Sequence, residues 1–274
     1  MSRLLIMSEP LKLLSFNALT SFGDPSRQQS AIELVHTLSP DVAFFPEAYR
    51  HDDSRITIDA SIVALRALGY EITSGLTDDI VKRTDGTGFF GIVKPEVGKG
   101  SILRIGHRQG FIAEVTEPST DTLIHIGGVH FDDRNEPARL AQIEQLPETI
   151  DVLMGDMNAM HKKTPIARAL RIVSPIVSLL PEVDPDFSVT KFRPKQYISL
   201  AQRLTRMADG RTLENLQNKF GLHDADSHHR PTIHGVAQID HILAKDTIEV
   251  SDFQVHNEIS LSDHKPISAT IRLK

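Results

Sequence analysis

Cysteine and tryptophan are both absent from the 274 residues, and aromatic residues make up only 5% of the chain. Without cysteine there are no disulfides, no thiolate metal ligands and no cysteine nucleophile. The compartment stays open, since a secreted protein need not carry disulfides. The scarcity of aromatics leaves few stacking platforms for single-stranded bases and no aromatic loop suited to a membrane interface. No apolar run reaches the ~18 residues that a membrane span requires. The stretch Met1 to Pro10 is too weakly apolar for a secretory signal, and no small-residue cleavage site follows it. There is also no overall excess of positive charge: the formal net charge is −6, unlike the basic field that dominates non-specific DNA binding. The expectation is a soluble, cytoplasmic protein.

The residues that are present suit a large buried core, with 40% hydrophobic and 24% charged. The chain reads as one domain over 1–274. Apolar runs at Leu11 to Phe16, Val42 to Phe45, Phe89 to Val93, Phe111 to Val115, Leu123 to Val129, Val152 to Met154 and Ile267 to Leu273 predict strands. Ile32, Val35 and Leu38 recur at helical spacing until Ser39-Pro40. Ile58, Ile62, Leu65 and Leu68 form a second stripe ended by Gly69, and Leu140, Ile143 and Leu146 a third ended by Pro147. Between about 87 and 131 the pattern is a meander, with Gly98-Lys99-Gly100 and Gln109-Gly110 as turn signals. Mixed βα units flanking a meander predict two sheets face to face with helices outside. Residues 160–220 read as a helical insertion, interrupted by a loop from Pro181 to Pro194. The insertion holds eleven Lys and Arg against five Asp and Glu, which reads either as ordinary exposed charge on solvated helices or as a basic rim able to attract an anionic substrate.

Polar residues recur where the apolar strands stop, and loops at strand ends commonly carry chemistry. They are Asn17 after the first strand, Glu47 in Pro46-Glu47, His130 after Gly127-Gly128-Val129, and Gly155-Asp156-Met157-Asn158. Asp240 in Ile239-Asp240-His241 and the segment Ser262-Asp263-His264 complete the set. A carboxylate following so apolar a run needs solvent, a partner or a metal. The segment Leu222 to Arg230, with Asp224, Asp226, His228 and His229, reads as a polar loop shaping a substrate groove with Thr232 and His234 at its lip. Its ligand types also allow a second metal.

In this order, the set resembles the motifs of the endonuclease/exonuclease/phosphatase superfamily, which includes deoxyribonucleases, apurinic endonucleases, neutral sphingomyelinases and inositol phosphate phosphatases. Gly-Asp-x-Asn and Ser-Asp-His are its most specific signatures, and the match spans residues 11 to 272. The resemblance implies a deoxyribonuclease-like α/β (α+β) fold, a four-layer sandwich of two packed mixed β-sheets flanked by helices. The chain departs from the pattern in three places. Met157 stands where nuclease members often have Phe. Leu19 stands where apurinic endonucleases carry an acid. The Trp and Cys that flank the acid in inositol phosphatases are absent around Asp240.

The implied reaction is Mg²⁺- or Mn²⁺-dependent hydrolysis of a phosphate ester by in-line attack of water. Asn17 and Glu47 would hold the metal, with Asp263 nearby, directly or through water; all offer the oxygen that Mg²⁺ prefers. Asp156 would orient or deprotonate the water, and Asn158 would hold the phosphate or that water. His264 would act on a phosphoryl oxygen with its tautomer fixed by Asp240, and His130 would bind the same phosphate. The expected substrate is a phosphodiester, with nucleic acid as partner. The alternatives are a phospholipid or sugar phosphate and, of another class, a catalytically inactive binding module with the same fold.

Overall fold

The computed structural model describes residues 9–50, 53–76, 86–106, 108–117, 120–133, 135–177, 201–202, 204–233 and 235–274. In chain order the strands begin with β1 (Leu11–Ser15), β2 (Val42–Arg50), β3 (Glu71–Leu76), β4 (Thr87–Val93), β5 (Gly98–Ile105) and β6 (Arg108–Glu117). They continue with β7 (Thr122–His130), β8 (Val152–Asp156), β9 (Leu222–Asp224), β10 (Asp240–Lys245), β11 (Ile248–Val255) and β12 (Ile267–Leu273). The helices are α1 (Gln28–Leu38), α2 (Arg55–Ala67), α3 (Glu136–Ile143), α4 (Pro165–Val177) and α5 (Arg211–Phe220).

Two six-stranded sheets result, in the orders β11-β12-β1-β2-β4-β3 and β5-β6-β7-β8-β10-β9. Side chains alternate across each strand and so sort into layers. Leu11, Leu13, Val42 and Phe44 of the first sheet meet Phe111, Ile126, Val152, Met154 and Ile242 of the second in the central core. Their odd-numbered or even-numbered neighbours, such as Leu14, Ala43 and Phe45, turn outward onto Ala31, Leu34 and Val35 of α1 and Leu65 of α2. On the far side, Val129, Leu153 and Leu243 pack against Ile143 and against Leu213, Leu216 and Phe220 of α5. Helices outside two facing sheets make four layers.

The glycines of the meander do not make turns. Gly98 and Gly100 lie in β5 and Gly110 in β6. A Cβ at Gly98 would stand 2.2 Å from Glu114 O, at Gly100 2.4 Å from the Phe111 ring, and at Gly110 2.3 Å from Gly128 O. These residues are small because neighbouring strands and side chains crowd them. The reversal occurs instead at Gly106, at φ +65°.

The basic stretch has helices at both ends, and 178–200 lies outside the described residues. Its last helix, α5, is a layer of the sandwich, tied by Thr212 to a buried ion pair within α3. Arg139 reaches Glu136 at 2.5 Å, the carbonyls of Asp132 and Arg206 at 2.9 and 2.7 Å, and Thr212 Oγ1 at 3.2 Å. Thr212 donates in turn to Glu136 at 2.8 Å. Arg139→Ala would strand the Glu136 carboxylate in the interior and should cost about 3–5 kcal/mol of stability, read as a lower urea midpoint at unchanged slope. A loss under 1 kcal/mol would show that the pair does not anchor α5.

Candidate active site

β1 and β2 run parallel, as do β7 and β8. Their C-terminal ends lie at one edge of the sandwich, where ligands of open α/β sheets bind. β10 runs antiparallel to β8 and β12 antiparallel to β1, so both begin at that edge. Alternation then aims the residues. Val152 and Met154 face the core, so Asp156 does too; Ile242 and Ala244 do likewise for Asp240, and Ile124 and Ile126 for His130. His130, Asp156 and Asp240 are register neighbours across three adjacent strands.

Glu47 breaks the rule. Alternation from Phe45 would turn it toward the helices, but the register between Phe45 and Tyr49 is shifted and Glu47 adopts φ +49°. This irregularity redirects the side chain into the cleft, a use typical of β-bulges beside active sites. Backbone N–H groups of Ala18 and Thr20 donate to Pro46 O and Glu47 O at 3.0 and 2.5 Å, fastening the loop after β1 to the bulge.

The side chains meet around one carboxylate. Asp156 has no solvent exposure. Its Oδ2 lies 3.1 Å from Asn17 Nδ2, 3.6 Å from His130 Nε2 and 3.8 Å from His264 Nε2. Glu47 Oε1 lies 3.2 Å from Asn17 Nδ2 and 3.6 Å from His130 Nε2. Asn158, at φ +47°, donates its backbone N–H to Asp156 Oδ1 at 2.9 Å and its Nδ2 to Phe131 O at 2.9 Å. Gly155 must be glycine, since at φ +139° a Cβ would stand 1.9 Å from Val129 O.

His264 Nδ1 is 2.8 Å from Asp240 Oδ2, and Asp240 is itself held by its N–H donating to Thr232 Oγ1 at 3.1 Å. Burial opposes a charged ring, but the charges of Asp240 and Asp156, the Asp240 hydrogen bond and the charge of Asp263 prevail. They push the His264 pKa up to about 10. The ring is an imidazolium at neutral pH. Asp156, Asp240 and His264 also offer ligand atoms within 4.8 Å of one another. A protonated ring has no lone pair to give a metal, so this trio is a proton-holding group in the absence of an ion.

One residue differs from its expected place. Thr232 is not a lip residue: it is fully buried behind Asp240, with Oγ1 accepting from the N–H groups of Ile239 and Asp240. Asn17 presents its NH₂ group to Glu47 while its Oδ1 accepts from Leu19 N at 3.3 Å, so ligation through oxygen requires the opposite amide orientation. Asp263 lies partly exposed beside His264, with Ser262 Oγ donating to it at 3.2 Å. His234 lies outside the described residues. Ser262, the first residue of the Ser-Asp-His motif, accepts at Oγ from His264 N at 3.1 Å, and Phe131 O, which carries no side-chain signal in the sequence, holds the Asn158 amide.

Because the His264 pKa lies above its ordinary 6.5, the protonated ring contributes stability in full below about pH 6.5. That contribution is lost as pH rises through about 10. Asp240→Asn removes the largest favourable influence on the proton. In chelator-treated protein at pH 8, the His264 ring resonance should be that of a charged imidazole in the wild type and of a neutral one in the variant. A ring still charged in the variant would show that Asp240 does not hold the proton.

No family model matches the chain, and no curated protein matches it in sequence. Solved structures match over nearly its whole length. An endonuclease/exonuclease/phosphatase from Beutenbergia cavernae is 16% identical, covering 97% of this chain and 72% of that one at a TM-score of 0.63. The human Nocturnin catalytic domain, solved with a bound sulfate anion, is 12% identical over 97% of this chain and 95% of its own, at 0.61. Cimex nitrophorin, as its ferrous NO complex, is 13% identical over 97% and 99%, at 0.55. Two facing mixed sheets, with a polar cluster where their parallel strands end, give this chain the endonuclease/exonuclease/phosphatase fold.

Proposed function

We propose that the chain is a divalent-metal-dependent phosphoesterase that hydrolyses a phosphodiester by in-line attack of water. One observation carries this reading: Asn17, His130 and His264, from both sheets, meet around the buried Asp156 at 3.1 to 3.8 Å, and Glu47 joins them 3.2 Å from Asn17 and 3.6 Å from His130.

The donor set fits a hard cation. Glu47 is the partly open carboxylate of the cluster, its side chain 19% exposed, and Asn17 lies against it. An accessible carboxylate with an amide, and Asp263 in support, suits Mg²⁺ or Mn²⁺. When bound, the ion would neutralise charge on the phosphoryl oxygens.

The remaining groups divide the other tasks by their hydrogen-bonding capacity. Among the described residues, Asp156 is the buried carboxylate whose oxygen faces Asn17, His130 and His264 together, so it orients the attacking water and takes its proton. Asn158 Oδ1 is buried without a hydrogen-bond partner, and an acceptor there suits a water proton better than a phosphoryl oxygen. On this reading Asn158 holds the water. His264, charged and tied at Nδ1 to Asp240, has its Nε2–H left to donate to a phosphoryl oxygen. His130 stands between Glu47 and Asp156 and supports the same group. The bound sulfate of the Nocturnin domain is in keeping with a tetrahedral oxyanion as the ligand of this fold. The positive segment that follows Asp156 favours a polyanionic diester, hence nucleic acid.

Asp156→Asn should lower kcat by roughly 10²–10⁴-fold with the fold intact; near-normal turnover would remove Asp156 from the base role. Glu47→Gln should raise the Mg²⁺ concentration needed for half-maximal rate, and an unchanged titration would count against Glu47 as a ligand. Among single-stranded DNA, bis-p-nitrophenyl phosphate and p-nitrophenyl phosphate, the two diesters should be the faster. A faster monoester would favour a sugar phosphate substrate. Inertness toward all three with either metal would favour a binding module.

A further inference from the structure

Consecutive residues of β10 face opposite sides of the sheet. Asp240 points into the candidate active site, and His241 points away from it, onto the side where Leu243 packs. There His241 Nδ1 lies 2.7 Å from Asp224 Oδ2 and Nε2 lies 2.9 Å from Ala159 O. Both ring nitrogens face oxygen acceptors, so both carry protons and His241 acts as a donor. Asp224 Oδ2 also accepts from Gln238 Nε2 at 3.2 Å, and Oδ1 accepts from Asp226 N at 2.9 Å. Three of the roughly four acceptor positions of this carboxylate are therefore filled.

Two further imidazoles lie next to this carboxylate. His161 Nε2 is 3.3 Å from Asp224 Oδ2, and this buried nitrogen makes no hydrogen bond of ordinary geometry. His229 lies against His161 with ring centroids 4.1 Å apart. His229 Nδ1 is 3.2 Å from Gln238 Oε1, which leaves the lone pair on Nε2. An oxygen holding the far nitrogen of a ring is the arrangement that surrounds ligating histidines. One ligand atom from each of His161, Asp224 and His229 lies within 4.8 Å of the others. With bonds of about 2.0–2.1 Å, the edge of a tetrahedral zinc site is about 3.3 Å. The His161–Asp224 separation of 3.3 Å has that length.

We infer that His161, Asp224 and His229 form a second metal site, for a nitrogen-preferring divalent cation of the Zn²⁺ type, with its fourth position open to water. The donor chemistry separates it from the oxygen-lined cleft at Glu47, where Mg²⁺ or Mn²⁺ fits. His161 retains 27% side-chain exposure, giving the ion a route in. An ion here would join the turn that follows Asp156 to the loop after β9, whatever reaction the neighbouring site performs.

The test uses the full chain stripped by a chelator, dialysed and titrated with Zn²⁺ and, separately, Co²⁺. The wild type should bind one Zn²⁺ that excess Mg²⁺ does not displace, melt at a higher temperature with it, and give the intense visible absorption of tetrahedral Co²⁺. His229→Gln and His161→Gln should each lose the Zn²⁺ shift and the Co²⁺ band while keeping the metal-free melting temperature, and Glu47→Gln should keep both. The two variants alter different elements, so a folding defect in one leaves the other decisive. No tight Zn²⁺ in the wild type, binding retained in the double variant, or binding lost only with Glu47→Gln would overturn the site.

Discussion

Asp156 is a carboxylate with no solvent exposure, and a buried charge is tolerated only among donors and opposite charges. Neither sheet could satisfy it alone. Its own strand and loop provide the Asn158 N–H, the facing sheet provides the Asn17 amide, and the loop before β12 brings the charged His264. The solvation of one group thus requires both sheets to close in one register. The clustered arrangement that would act on a phosphate ester is also what makes the interior of this edge electrostatically acceptable.

That requirement explains why much of the site was legible in the sequence. Alternation is strict in β7, β8 and β10, so a polar residue continuing the parity of Ile126, Met154 or Ile242 must enter the space between the sheets. His130, Asp156 and Asp240 could be read that way. Glu47 could not, because its direction depends on an irregularity in β2 that no residue type announces. Thr232 looked like a lip residue because a threonine in a polar loop gives no sign that its hydroxyl will cap two strand amides. The meander glycines signalled turns by the usual rule, yet here they make room for Phe111 and for neighbouring backbone. Crowding depends on the partner strand, which local sequence does not contain.

Fold and chemistry separate clearly in this architecture. Among solved structures sharing it are a sulfate-bound Nocturnin domain and a ferrous NO complex of a nitrophorin. The same sandwich therefore accommodates unrelated ligands, and a functional reading has to rest on particular side chains. In this chain it rests on the pairing of an accessible carboxylate at Glu47 with a buried one at Asp156, bridged by a single amide. The accessible member can exchange water for a cation at modest desolvation cost. The buried member, shielded and surrounded by donors, is better suited to directing a proton.

Period-two geometry also explains how two polar centres arise back to back. Asp240 and His241 are adjacent in sequence, and a strand must send them to opposite faces. Asp240 fixes the proton on His264, while His241 fixes the carboxylate of Asp224 and, through Ala159 O, the turn that follows Asp156. Each pairs an acid with an imidazole, but with the order reversed: on one face the strand contributes the acid, on the other the imidazole. Any shift of β10 along β8 would disturb both pairs at once, since Asp240 and His241 are registered against Asp156 and Gly155. Gly155 leaves no room for a Cβ against Val129 O. The strand is therefore held at the one register in which both faces are electrostatically satisfied.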